Sequence, residues 1–369
     1  MPPLPAELRA AADAVRWTPE RTSRLIRGMP KVETHLHLDG ALSPATIKEL
    51  AVRQDYAPLA SKTVAEIAAL SIVGGPMASL AEVLRKFGVV YPLLRTRDAV
   101  ETCAHEAARA AARENVRYAE FRFAPALQSA AGFSPRQVLD AALAGLARGK
   151  DDFGVDSGVI VCLIRPFAFV DRGRNEEMLE LAVAYKDRGV VGLDLAGDEA
   201  AQPLSDFADY FARAKTAGLR LTAHAGEAPG SSDLETALSL GVDRLGHATL
   251  LAGNPELLAE VRRRGLTIEV NLTSNVRTSA VKSAAAHPVK DWYAAGVPIA
   301  LSTDDPGSFG IGLSHEYELL SRELGFGAVE ILDASFQAVD ALFLPETRKR
   351  ALRASFEAET LALLPSVGA

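Results

Sequence analysis

The chain has 369 residues, 48% of them hydrophobic and 24% charged, and a net charge of -7. This length and balance suit one water-soluble globular domain with a large core, up to the size of a full α/β barrel. A net negative chain without a lysine- or arginine-rich block excludes the electrostatic footprint of a nucleic-acid or anionic-membrane binder. The short "RRR" at 262–264 reads as a solvated helix end.

The N-terminal "MPPLPAELRAAADAVRW" turns from Pro-rich to helical and lacks the basic start and apolar core of a signal peptide. No window approaches the ~18 uninterrupted apolar residues of a membrane span. The first extended segment is "KVETHLHLDGAL" at 31–42. As a strand it places Glu33, His35, His37 and Asp39 on one face, with Val32, Thr34, Leu36 and Leu38 on the other. Gly40 then lets the chain turn away. From 38 to 115 the pattern is helical, with "SPATIKELAVRQ", "SLAEVLRKFGVVYPLL" and "DAVETCAHEAARAAARENV". Helices inserted after a first strand are expected over the strand ends, as a lid.

Further β-branched runs follow: "VRYAEFRF" (116–123), "GVIVCLIR" (158–165), "GVVGLDLAG" (189–197), "RLTAHAGE" (220–227), "RLGHA" (244–248), "LTIEVNLTS" (266–274) and "VPIALSTDD" (297–305). Helical patterns lie between them, several ending in glycine, which closes a helix at least cost. Strand-helix alternation with short connections implies parallel strands and right-handed crossovers. Eight such units predict a (β/α)8 barrel, with an open doubly wound sheet as the runner-up. The helices from 306 to 369 complete the ring and cap it, and no linker divides 1–369 into two domains. Cys103 and Cys162 match no metal or redox spacing and read as free buried thiols, which suits a reducing cytoplasm.

Barrel chemistry gathers at the C-terminal strand ends. Those ends carry His35, His37 and Asp39, then Gly197 with Asp198, His224 with Glu227, His247, and Asp304 with Asp305. His105, His287 and His315 fall elsewhere and are assigned no part in the site. Three imidazoles and a carboxylate suit a divalent first-row metal, Zn²⁺ above all. Such an ion lowers the pKa of bound water from 15.7 towards about 7. Glu227, three residues beyond His224, is placed to act as a proton donor, and His247 either orients or deprotonates the attacking water. Each also has an ordinary reading: Glu227 as a helix cap, His247 as a core histidine, Asp305 as the start of a turn with Pro306.

The segments "PKVETHLHLDGAL", "SLAEVLRKF", "YAEFRFAP", "GLDLAGDE", "HAGE", "RLGHA", "LTSN" with a following "HP", and "STDDP" resemble, in order, the adenosine deaminase family of metal-dependent barrel hydrolases. "FLP" at 343–345 is similar too. The resemblance implies one zinc ion on His35, His37, His224 and Asp304, with His37 also against the substrate. It implies Glu227 protonating purine N1, His247 positioning the water, Asp305 meeting N7, the Gly197 N–H meeting N3, and Asp39 binding the ribose 5′-hydroxyl. Phe87 and Leu84 would line the lid over the base.

The expected reaction is deamination of adenosine and 2′-deoxyadenosine to the inosines, with a small purine nucleoside as the partner. Asp39 in "HLDG" argues for an unphosphorylated nucleoside, since a 5′-phosphate would meet like charge. Adenine deaminases tend to read "HLEG" there. The cysteine-ligated base deaminases are excluded, because their H-x-E and P-C-x-x-C signature is absent. The rivals are a related 6-aminopurine, either adenine or a 5′-modified adenosine of the aminofutalosine type, and a barrel that binds nucleoside without turnover.

Overall fold

A computed structural model of the chain describes residues 1–165 and 174–368. Its strands are β1 (Lys31–His37), β2 (Val116–Phe123), β3 (Asp156–Ile164), β4 (Val190–Ala196), β5 (Arg220–Leu221), β6 (His224–Ala225), β7 (Arg244–His247), β8 (Thr267–Val270) and β9 (Ile299–Leu301). β1 to β5 form one parallel ladder and β6 to β9 another. β5 and β6 occupy a single position in the sheet, parted by Thr222 and Ala223. Leu221 O accepts from Asp243 N and Ala223 O from Gly246 N, each at 2.8 Å, which joins the two ladders. The outer edges meet at a parallel bridge of Leu36 with Asp304. There His37 N donates to Asp304 O at 2.7 Å and Asp304 N to His35 O at 3.0 Å. The sheet therefore closes into an eight-position barrel, and the open doubly wound alternative falls.

Helices form where the sequence caps them. The hydroxyls of Ser43, Thr63, Thr96 and Ser134 each accept from a backbone N–H three residues on, satisfying a donor that the first turn leaves orphaned. The C-terminal helix Glu346–Gly368 packs on the N-terminal helices Ala6–Asp13 and Pro19–Gly28. Among the described residues no helix is long and apolar enough to cross a membrane. Cys103 and Cys162 are free and buried.

Two expectations need correction. The helix Arg97–Arg113 belongs to the outer ring, packed on the helix Pro135–Phe153, so the part of 38–115 that reaches the mouth is shorter than expected. The run 266–274 is not all strand: β8 ends at Val270 and Leu272–Arg277 is helical. The cause is tertiary, because the buried Glu316 accepts from Thr273 through both its N–H and its hydroxyl.

Inside the barrel the usual apolar layers give way to paired charge. Arg122 on β2 donates to Asp194 Oδ2 at 2.9 Å, to Glu269 Oε2 at 3.0 Å and to Thr34 O at 2.6 Å. Arg244 on β7 meets Glu269 Oε1 and Glu120 Oε2, both at 2.6 Å, and lies 3.6 Å from the Phe343 ring. All five charged side chains are fully buried. Removing one partner of such a network leaves uncompensated charge. Arg122→Met should therefore cost about 3–5 kcal/mol of stability, read by chemical denaturation. A loss below about 1 kcal/mol, the scale of a surface pair, would show that the network is not what holds the barrel.

Candidate active site

The parallel strands deliver their polar ends to one mouth. His35 Nε2 lies 3.0 Å from Asp304 Oδ1, His37 Nε2 3.3 Å from the same oxygen, and His37 Nε2 3.1 Å from His224 Nε2. The His247 ring centroid is 4.9 Å from that of His35 and 5.1 Å from that of His224. One donor atom from each of His35, His224, His247 and Asp304 falls within 4.8 Å of the others. Four imidazoles and one carboxylate thus converge, one imidazole more than the three-histidine, one-aspartate set that the sequence implies. His35 Nε2 and Asp304 Oδ1 are buried without a hydrogen-bond partner despite their closeness. Two such inward-facing lone-pair groups are what a bound cation satisfies, so the donor set fits a metal ion.

The outer ring nitrogens support that fit. His35 Nδ1 is 2.7 Å from Glu269 Oε2 and His224 Nδ1 3.1 Å from Asp194 Oδ2. A carboxylate accepts the Nδ1 proton and leaves Nε2 bare, the arrangement common around metal-ligating histidines. Burial opposes charge on Asp194, but His224 and Arg122 hold its carboxyl well below the usual range. At Glu269 the same opposition is overcome by Arg122 and Arg244.

The backbone here is strained. His247, Ala248 and Asp304 have φ of 62°, 55° and 63°, a left-handed conformation that costs a non-glycine residue on the order of 1–3 kcal/mol and clusters at functional sites. The regular alternation expected along β1 also breaks. Its register against β2 shifts between Glu33 and Leu36, and Glu33 Oε1 is taken by Thr303, through N–H at 2.8 Å and hydroxyl at 2.5 Å. Glu33 therefore leaves the stripe formed by the histidines.

Burial pushes the Glu227 carboxyl up to about 8, helped by the charge of Asp304 and opposed by the Thr278 hydroxyl. That hydroxyl donates to Oε1 at 2.8 Å, while Oε2 lies 3.9 Å from His247 Nε2. The loop carrying Glu227 is held by a residue that the sequence reading passed over. Glu199 accepts from the N–H groups of Gly226, Glu227 and Ala228 at 2.7, 2.8 and 2.7 Å, and from the Ser231 hydroxyl at 2.5 Å. Its only sequence signal was its place at the end of "GLDLAGDE". Asp198, beside it, instead caps a local turn through Ala200 N.

Asp39 is buried, accepts from Gln128 Nε2 at 2.9 Å and is hydrogen-bonded to Tyr91. The role of Gly40 is a close approach rather than a turn: a Cβ there would sit 1.8 Å from Asp305 Oδ1. Burial and the neighbouring Asp304 push the Asp305 carboxyl well above its ordinary range. A cavity partly open to solvent joins Asp39, Gly197, Glu227, His247, Asp304 and Asp305, and is lined as well by Leu80, Leu84, Phe87 and Tyr91. His105 pairs with Asp152 in an outer helix. His287, assigned no part from sequence, is buried behind His247 with Asn275 between them. Gln128, Tyr91 and Thr278 carried no local signal, since they reach the site from the segments after β2, β1 and β8; Asn275 was marked only as the last residue of "LTSN", with no role attached.

A closed parallel barrel with a cation-ready histidine and aspartate cluster at its strand ends defines a metal-dependent hydrolase. The adenosine deaminase profile matches residues 30–358. An adenosine deaminase of Shewanella denitrificans is 35% identical over 333 residues, 89% of this chain and 98% of that protein. A crystal structure of an arabidopsis N6-mAMP deaminase is similar with a TM-score of 0.79 at 29% identity, covering 90% of this chain and 99% of the other. An adenine deaminase of Arthrobacter aurescens is similar with a TM-score of 0.78 at 26% identity, covering 90% and 98%. The chain belongs to the adenosine deaminase family and is a hydrolytic deaminase.

Glu199→Gln sets an N–H₂ group against backbone donors. It should lower kcat at least about tenfold with little change in KM, measured by steady-state deamination. An unchanged kcat would mean that the loop of Glu227 holds itself.

Proposed function

We propose that the protein deaminates adenosine and 2′-deoxyadenosine to inosine and 2′-deoxyinosine, releasing ammonia, with one zinc ion per chain on His35, His37, His224 and Asp304. When bound, that ion supplies the Lewis acidity that makes water nucleophilic at neutral pH. Glu227, kept protonated by burial, gives its proton to purine N1 and leaves C6 open to addition of water. Asp305, likewise protonated, donates to N7, and the Gly197 N–H meets N3. His247 orients the water; of the two protons the water gives up as its oxygen becomes the C6 carbonyl, one passes to the amino nitrogen, which leaves as ammonia, and the other restores Glu227. Leu84 and Phe87 close over the base and exclude bulk solvent, which strengthens each of these contacts.

The observation that carries the choice of substrate is Asp39. A buried carboxyl that already accepts from Gln128 and Tyr91 has room to accept once more, from a neutral 5′-hydroxyl. A 5′-phosphate would bring charge against it in a pocket where no described lysine or arginine lines the wall. The structural likeness to N6-mAMP and adenine deaminases sets the two rivals, a nucleotide and a free base.

The test is a panel of adenosine, 2′-deoxyadenosine, adenine, AMP and N6-methyl-AMP followed by the ultraviolet change at C6. Adenosine should have the highest kcat/KM, and faster turnover of adenine or of either nucleotide would overturn the reading. In the same assay Glu227→Gln should retain zinc and lose about 10²–10⁴ in kcat. Chelation should abolish activity and added zinc restore it, whereas full activity in metal-free protein would remove the metal from the scheme.

A further inference from the structure

We infer that Asn275 and His287 fix the tautomer of His247 so that its Nε2 presents an N–H to the site, which makes His247 a donor that orients the attacking water and not a base that takes its proton. This rests on the deamination proposed above.

The assignment starts from a group with no choice. The backbone N–H of Val289 lies 3.1 Å from His287 Nδ1. A backbone amide only donates, so Nδ1 accepts, and a neutral His287 carries its proton on Nε2. Burial, with His247 nearby, pushes the His287 imidazole down to about 3, so it is neutral. Its Nε2 is 3.1 Å from Asn275 Oδ1 and donates to it. That settles the amide orientation, which distance alone leaves open. The other end of the amide, Nδ2, then faces His247 Nδ1 at 3.0 Å and donates. With Nδ1 accepting, the ring proton of a neutral His247 sits on Nε2, the nitrogen nearest Glu227 Oε2. All three side chains are buried, with Asn275 wholly inaccessible, so water does not compete for these contacts.

The same reasoning separates His247 from the rings around it. His35 and His224 turn Nδ1 towards carboxylates, which only accept, and so present a bare Nε2. His247 turns Nδ1 towards an amide donor and presents N–H. Four imidazoles crowd one mouth, and the outer partner of this one removes it from the ligand set that its position alone would permit. The open choice between orienting and deprotonating the water closes on the first, because an Nε2 that already carries a proton has no lone pair to accept another.

The experiment uses the zinc-loaded protein labelled with 15N at histidine and a long-range 1H–15N correlation of the ring nitrogens. His247 should show a protonated Nε2 and a bare Nδ1, and a bare Nε2 would overturn the assignment. Asn275→Asp replaces the donor by an acceptor. It should place a proton on Nδ1 of His247 and lower kcat about a hundredfold at unchanged zinc content and KM. Asn275→Ala, which removes the donor without imposing the opposite tautomer, should lose less. A packing role predicts the reverse order, since aspartate keeps the shape and alanine leaves a cavity, so an Asp variant more active than the Ala variant would sink the proposal. A wild-type protein with the expected tautomer that deaminates no 6-aminopurine would overturn the functional reading and leave the tautomer assignment standing.

Discussion

A carboxylate inside a barrel is costly unless its lone pairs are used, and Glu269 uses them on His35, Arg122, Arg244 and Thr222 at once. That arrangement ties β1, β2, β7 and β8 together beneath the mouth. It also orients the first histidine, because the acceptor at 2.7 Å from His35 Nδ1 is a charge held in place by two guanidinium groups. Asp194 does the same for His224 with Arg122 as the shared counter-ion. Barrel stability and the histidine cluster therefore draw on one set of contacts, and a change in the charged interior is felt at the site above.

Around that base the site divides labour by the chemistry of the outer partners. Carboxylates behind His35 and His224 produce bare nitrogens; an amide behind His247 produces a donor. Glu227 is controlled from two sides, its backbone by Glu199 and its side chain by Thr278. Strain at His247, Ala248 and Asp304 persists because these contacts over-determine the local backbone. Pre-organisation of this kind lets the charges of a reaction develop against groups that are already aligned.

Much of this was legible in the chain. The alternation in "HLH" and the short runs ending in histidine or aspartate mark strand ends, because a strand exposes its period of two in any window of a few residues. The run "VPIALSTDD" likewise put Asp304 and Asp305 where the barrel closes. The helix at Leu272–Arg277 was not legible, since Glu316 supplies the contacts that favour it. Nor was the use of Gly40, whose requirement comes from Asp305 on the other edge of the closed sheet.

By itself the sequence determined the barrel, the residues at its mouth and the resemblance that implies their chemistry, because patterning and motif spacing are local properties of the chain. The tertiary structure alone decided which groups stand behind them. Glu199, Thr278, Gln128, Tyr91, Asn275 and His287 act through hydrogen bonds to residues far away in sequence or on a neighbouring element. The proton positions that separate a bare ring nitrogen from a protonated one follow from those bonds, and a hydrogen bond has no direction until both of its ends are in place.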